Sequence, residues 1–335
     1  MKILNILLIT TIIGILALSG CINEETAEVN SYSENQTDEQ QVNESNNKSN
    51  TVTTYPITIT DNLKRSVTIN QEPQRIISLS PAHTEILFAL GLGDKIVGVT
   101  NYCNYPEEAS SKPVVSEFKT IDIELIINSA PDLVLMTSGV QSFDQLDNLG
   151  ITLIAFDAKT VDEVLENIKL IGQVTNKKEE SEELIDDLNN KINSVKSTAG
   201  NMSSKPKIFY IIWDDPLWTI GPDAFIEDAI EITGGNNIFS YDLPRGAPTD
   251  YFTTSMEAVI TRNPDIIIID SHNNDAMNTT QNIKNNSQWR SINAVQNNRI
   301  YVMDADVASR AGPRIVDAMD MYSGWFVNWS VASAL

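Results

Sequence analysis

Cysteine is almost absent: Cys21 and Cys103 are the two in 335 residues. Such a chain is neither a disulfide scaffold nor a Cys-rich zinc module. Histidine is as scarce, with His83 and His272 far apart in sequence. Capture of bare zinc or manganese needs several His and carboxylate ligands, so no metal site of the protein's own is expected. Basic residues are outnumbered, 23 Lys and Arg against 45 Asp and Glu, for a formal charge of −22. Nucleic-acid binding depends on Lys and Arg neutralising phosphates, and this balance argues against it. Catalytic signatures are missing too. There is no Gly-x-Ser-x-Gly elbow, no His-Glu-x-x-His and no Gly-x-x-x-x-Gly-Lys-Ser/Thr loop. An Asp/Glu pair for glycoside chemistry has nothing to place it among so many acids. The Asp214-Asp215 and Asp304/Asp306 clusters lack the ligand count and glycine of a calcium loop and read as turn residues. An enzyme is not expected.

No apolar run reaches the ~20 residues of a membrane span. The longest lies at the start: Lys2, then the mostly apolar Ile3 to Ala17, then Leu18-Ser19-Gly20-Cys21. This order is that of a lipoprotein signal peptide over residues 1–20, with Cys21 as the lipidated residue. Loss of Lys2 with it takes the mature chain to −23. The body is then expected outside the cytoplasmic membrane, anchored by lipid. Residues 21–54 are rich in Asn, Glu, Gln, Ser and Thr and bury too little apolar surface to offset ordering entropy, which predicts a flexible acidic tether. Asn35, Asn43 and Asn47 open possible glycosylation sequons within it. With Cys21 lipidated, Cys103 has no partner in the chain. It reads as a small buried filler, or, given Tyr102 and Tyr105 beside it, as a cleft-facing thiol.

What the chain does have is a pattern that occurs twice, 133 residues apart. The first copy is Glu124-Leu-Ile-Ile-Asn-Ser-Ala-Pro131-Asp132-Leu-Val-Leu-Met136. The second is Glu257-Ala-Val-Ile-Thr-Arg-Asn-Pro264-Asp265-Ile-Ile-Ile-Ile269. Each is a Glu near a helix start, a short apolar helix ended by Pro, and an unalternating apolar run. Such runs suit strands buried on both faces, as in a parallel sheet. The repeat predicts two like lobes, each presenting one carboxylate, either as a symmetric docking pair or as solvated helix-start residues.

Around that repeat, residues 55–158 read as an N-terminal α/β lobe. A hairpin alternates about Asp61-Asn62, and strands follow at Arg75 to Leu79, Ile96 to Val99, Leu133 to Met136 and Ile151 to Phe156. Ser80-Pro81 starts a helix that Gly91 stops. Residues 159–200 read as one long connecting helix opened by the capping box Thr160-Val-Asp-Glu163, with Gly172 as a candidate break. Residues 205–330 repeat the scheme in a C-terminal lobe. Strands are predicted at Lys207 to Trp213, Ile266 to Ile269 and Ile300 to Met303, and helices at Asp223 to Ile232, after Ser255, and at Pro313 to Trp325. The fold class is α/β: two three-layer lobes with mostly parallel central sheets, joined by one long helix. A ligand is expected between the lobes.

The runs Arg75-Ile-Ile-Ser-Leu-Ser-Pro-Ala-His-Thr-Glu85, Asn101-Tyr-Cys-Asn-Tyr-Pro106, Gly234-Gly-Asn-Asn-Ile-Phe239, Ser255-Met-Glu257 and Arg310-Ala-Gly-Pro-Arg-Ile315 occur in that order. With the Glu–Pro–Asp units they resemble the substrate-binding proteins of iron-siderophore and vitamin B12 ABC importers, over roughly residues 56 to 328. The cobalamin binders resemble it most, the siderophore branch next. The resemblance implies a monomeric receptor that captures a metal chelate and delivers it to a permease dimer. It implies that Glu124 and Glu257 pair with arginines of the two permease subunits, where charge-assisted bonds fix register. A non-transporting sensor, the competing class beside a secreted lipoprotein enzyme, would not need that pair.

The chelate brings its metal already coordinated, so no cofactor is implied and the cleft needs aromatic faces and a few hydrogen bonds. By position in the resemblance, Tyr102, Phe118, Trp213 and Tyr251 are candidate cleft residues, with Trp218 weaker. Phe118 and Trp213 read equally as core packing. Ser80 sits at a helix N-terminus, where free N–H groups favour acceptors. Arg245 and Arg310 are candidates for ligand oxygens, Arg310 also for a structural role, and Arg314 for a structural role alone. His83 is a minor candidate for a cobalt contact. Cobalamin, other corrinoids, ferric siderophores and haem all suit such a cleft.

Overall fold

The hairpin about Asp61-Asn62 forms from β1 (Ile57–Thr60) and β2 (Ser66–Ile69), paired antiparallel with Ile59 opposite Val67. The computed structural model describes residues 52–117, 121–138, 143–271 and 275–334. The expected signal segment with Cys21, together with Phe118 and His272, lies outside the described residues.

In the first lobe the parallel strands β3 (Ile76–Ser78), β4 (Ile96–Thr100), β5 (Val114–Ser116), β6 (Leu133–Met136) and β7 (Leu153–Ala155) lie in the order β5-β4-β3-β6-β7. Strands β3, β6 and β7 are buried at every position. The reason is three-layer packing. Ile76, Leu133, Leu135 and Ile154 join one core cluster with residues of α1 (Pro81–Ala89). Their neighbours Ile77, Val134, Met136 and Leu153 face the other way, onto Ile126 of α2 (Ile123–Asn128) and Leu146 of α3 (Phe143–Asp147). Successive strand residues point to opposite faces, so a helix layer on each face demands an unalternating run.

The connection is two helices rather than one: α4 (Val161–Val174) and α5 (Lys178–Gly200). The break falls at Thr175 to Lys177 and starts three residues beyond Gly172, with Asn176 left-handed at φ 60°. Thr160 accepts a bond from the Glu163 N–H, and Glu163 accepts one from the Lys159 N–H, so the capping box forms one residue early on its return bond. Residues ahead of 55 already join the fold. The Thr53 N–H bonds to Asn176 Oδ1 at 2.8 Å and the Thr53 hydroxyl to the Gln173 carbonyl at 2.7 Å, which ties the chain to the break.

The second lobe has parallel strands β8 (Lys207–Ile211), β11 (Asn236–Asn237), β13 (Ile266–Ser271) and β14 (Ile300–Asp304) in the order β11-β8-β13-β14. Ile208, Tyr210, Ile266 and Ile268 pack with α6 (Phe225–Ile232) and α11 (Ile315–Ser333) in the same core cluster as the first lobe. Phe209, Ile211, Ile267 and Ile269 pack on the other face with α7 (Met256–Arg262), α8 (Asp275–Asn285) and α9 (Asn293–Gln296). A short antiparallel sheet, β9 (Trp213–Asp214), β10 (Leu217–Ile220) and β12 (Tyr251–Thr253), follows from the carboxyl end of β8. Helix α10 (Ala305–Ala308) follows β14. Among the described residues no helix is long and apolar enough to cross a membrane.

The repeat has a structural content in each lobe. Asp122 caps α2 by accepting from the Leu125 N–H, and Ser255 caps α7 by accepting from the Ala258 N–H. Asp132 then accepts from the Gln74 and Arg75 N–H groups ahead of β3, and Asp265 from the Lys207 N–H at the start of β8. The Pro-Asp pair therefore pins the neighbouring strand, while the Glu two residues past each cap is left exposed.

Candidate functional site

Parallel α/β sheets bind ligands beyond the carboxyl ends of their strands. The chain leaves β3 through Leu79 and Ser80, β6 through Thr137, β7 through Phe156 and Asp157, and β14 towards Asp306. These exits converge on a cavity of about 510 Å³ between the lobes. The first lobe contributes Ser80, His83, Tyr102, Thr137 and Asp157, α4 contributes Asn167, and the second lobe contributes Asp306 and Arg310.

Of the expected cleft residues, Ser80, Tyr102 and Arg310 line this cavity. Ser80 is the N-cap of α1 and its side chain makes no cap bond, so the helix-start N–H groups are not consumed by its hydroxyl. Tyr102 is 55% exposed. Trp213 and Tyr251 lie instead on the small antiparallel sheet. Trp213 stands opposite Trp218 across β9 and β10, and Tyr251 follows on the same face of β12. Trp213 is 48% exposed, which sets core packing aside. Burial raises the Tyr251 phenol to about 12, and the charges of Asp270 and Asp250 add to the shift. Arg245 lies in an exposed turn and Phe118 outside the described residues.

Arg310 is held by both lobes. Its Nη1 donates to Glu85 at 3.0 Å and to Asn104 Oδ1 at 2.8 Å. Its Nη2 donates to the Tyr102 carbonyl at 3.2 Å and pairs with Asp306 at 2.7 Å. Arg314 donates twice to Glu85, at 2.9 and 2.7 Å, and its guanidinium lies 4.1 Å from the Tyr105 ring centroid. Glu85, 2% exposed, thus joins α1 to both arginines of the second lobe. Asp306 corrects the reading of the Asp304/Asp306 pair as turn residues: Asp304 caps α10, whereas Asp306 belongs to this ion cluster.

His83 is in the first helix, buried, with its Nε2–H donating to the Phe156 carbonyl at 3.0 Å. Burial pushes its pKa down to about 4, against the opposing pull of that carbonyl and of Asp157, so the ring is neutral at pH 7. Cys103 is buried, within reach of the Thr84 and Thr100 hydroxyls, as the filler reading expects. Glu85, Asn104, Thr137, Asp157 and Asn167 were not singled out in the sequence. The strand-exit rule applied to β6 and β7 would have found Thr137 and Asp157. Glu85 and its partners lie 225 and 229 residues apart, and no local signal connects them.

A family model for periplasmic binding proteins matches residues 76–307. The chain is 30% identical over 280 residues to the "Uncharacterized ABC transporter substrate-binding lipoprotein YvrC" of Bacillus subtilis, covering 79% of this chain and 84% of that one. Two solved structures are similar along nearly their whole lengths. The periplasmic vitamin B12 binding protein BtuF of Vibrio cholerae is 28% identical, with TM-score 0.66 over 77% of this chain and 98% of that one. A "possible" iron-binding (periplasmic solute-binding) protein of Staphylococcus epidermidis is 29% identical, with TM-score 0.67 over 76% and 99%.

Proposed function

Because the chain belongs to the periplasmic binding protein family, a family of substrate-binding proteins rather than enzymes, we propose that it captures cobalamin or a related corrinoid outside the membrane and hands it to the permease of an ABC importer. The reading rests above all on the cavity at the carboxyl ends of both lobes' sheets and on the similarity to a vitamin B12 binding protein. Tyr102 and Ser80 contact the ligand from the first lobe and Arg310 borders it from the second. The Trp213 and Tyr251 face supplies flat apolar surface for a macrocycle. Phe118 and Arg245 complete the ligand-binding set. Lipid on Cys21 holds the receptor at the membrane, and residues 21–54 tether it.

Glu124 and Glu257 dock the loaded receptor. Both are exposed, both are the second residue of a capped helix, and each lobe has one. One carboxylate per lobe matches the two-fold symmetry of a permease dimer.

A ferric chelate is the second reading, favoured by the likeness to a structure described as iron-binding. Calorimetric titration of the full chain with cyanocobalamin, a ferric hydroxamate, a ferric catecholate and haem separates the two. Submicromolar binding of cyanocobalamin is expected. Tight binding of an iron chelate with none of cyanocobalamin would move the assignment to that branch. The Glu124→Ala/Glu257→Ala protein is expected to bind the ligand unchanged and to lose uptake in cells. Lost affinity would place those carboxylates in the cleft.

A further inference from the structure

The arginine that borders the cleft is not available to an anion. The four N–H groups on the Nη atoms of Arg310 are taken by Glu85, Asn104, the Tyr102 carbonyl and Asp306, and the side chain is 9% exposed. A ligand carboxylate could gain the bidentate fork that makes arginine an anion receptor only by displacing one of these partners. Arg314 is turned onto Glu85 and Tyr105 and does not line the cavity. Among the described residues no other Lys or Arg lines it; Arg245, of the proposed ligand-binding set, lies outside the cavity in an exposed turn, where water and salt screen its charge.

Negative charge is present. Asp157 and Asp306 line the cavity, and the Asp157 carboxylate accepts only the Ser138 N–H among described protein donors, at 3.2 Å to each oxygen. Asp214 and Asp304 stand at the same strand-exit edge of the second lobe. His83 adds no positive charge at pH 7. A bound anion would meet the Asp157 carboxylate, which has no cationic partner among the described residues, and an Arg310 whose charge Asp306 and Glu85 already compensate. A like charge beside Asp157 is costly once water is displaced.

Resting on the chelate-receptor reading, we infer that the cleft is charge-selective: it takes an uncharged or cationic metal chelate with N–H donors at its periphery, and it rejects anionic chelates. The carboxylates of Asp157 and Asp306 are acceptors for peripheral amide or ammonium groups, and the uncompensated charge of Asp157 repels carboxylate or catecholate rims.

The test uses pairs of probes that differ in charge on one scaffold. One pair is cyanocobalamin and its monocarboxylic acid, with one peripheral amide hydrolysed. The other is ferrioxamine B, with its free ammonium, and the N-succinyl derivative. Titrated into the full chain, the less negative member of whichever pair binds is expected to bind roughly tenfold tighter at low ionic strength. The gap should shrink at ~0.5 M salt, where the Debye length falls to a few ångströms. It should also shrink in Asp157→Asn and in Asp306→Asn, the latter freeing one donor of Arg310. Equal or tighter binding of the anionic member overturns the selectivity and leaves the receptor reading intact. So does tight binding of haem or a ferric catecholate with neither pair bound. No binding by any of these probes overturns the receptor reading and the selectivity with it.

Discussion

His83 shows what one buried imidazole does to the pH response. Its folded pKa of about 4 lies below the ordinary 6.5. Between those values the unfolded chain binds a proton that the folded chain does not. Stability from His83 is therefore fully present above pH 6.5 and is lost as pH falls towards 4, by about 3 kcal/mol in total. Asp270 acts in the opposite sense. It accepts from the Tyr210 hydroxyl, and burial, with Asp304 adding to it, raises its pKa from 3.8 to about 7. Its contribution is present below pH 3.8 and is lost as pH rises through 7. The two slopes oppose each other in the parent protein, so the His83 slope is isolated by substitution. Urea midpoints for the parent and for His83→Gln are expected to converge as pH falls from 7 to 4.5, because the parent alone loses the imidazole contribution. Parallel pH dependences would mean that His83 titrates normally in the fold.

Gly172 raises the same kind of question for an element. Inside a helix, Gly to Ala normally gains up to ~1 kcal/mol from propensity. Here an added Cβ would stand 2.3 Å from Ser181 Oγ, 2.4 Å from Ser181 Cβ and 2.7 Å from the Lys177 carbonyl oxygen. Overpacking of this sort costs about 1–3 kcal/mol and outweighs the propensity gain. Gly172→Ala is therefore expected to lower the thermal midpoint, and an unchanged or raised midpoint would show that α5 can shift away. This glycine lets two helices approach, and the break it seemed to mark comes at Asn176, whose left-handed backbone the 3.6-residue pattern does not reveal. The strands were legible where chemistry and topology agree: the apolar runs of β3, β6 and β13 carry their own evidence of two-sided burial. The pairing of Trp213 with Trp218, and of Ile220 with Tyr251, was not legible, because two- and three-residue strands have no period to read. Among the residues lining the cavity, Ser80 could be named from its helix start, Tyr102 from its place in the resemblance and Arg310 from its charge. What Arg310 is bonded to depends on α1 and on the Asn104 loop, which only the folded chain brings near.

At the scale of the molecule, the lobes share one core cluster through α4 and α5. They are also joined at the cleft base by Glu85, Arg310 and Arg314, by Asn104 bonding to Asp306 at 2.8 Å, and by Arg314 over Tyr105. A rotation of tens of degrees would have to part ion pairs whose carboxylate is 2% exposed. Removing one partner of such a pair costs about 3–5 kcal/mol, since the remaining charge is left uncompensated. A helical brace and a buried latch therefore act together against hinge closure. Solution scattering of the parent protein is expected to give the same radius of gyration with and without bound ligand. Glu85→Gln removes the shared charge and leaves the brace. It is expected to lose ~3–5 kcal/mol in denaturant titrations and to compact measurably when ligand is added, because the second lobe is then held by α4 and α5 alone. Lobe rotation of tens of degrees in the parent would refute the latch. An unchanged profile in both proteins would assign the rigidity to the paired helices.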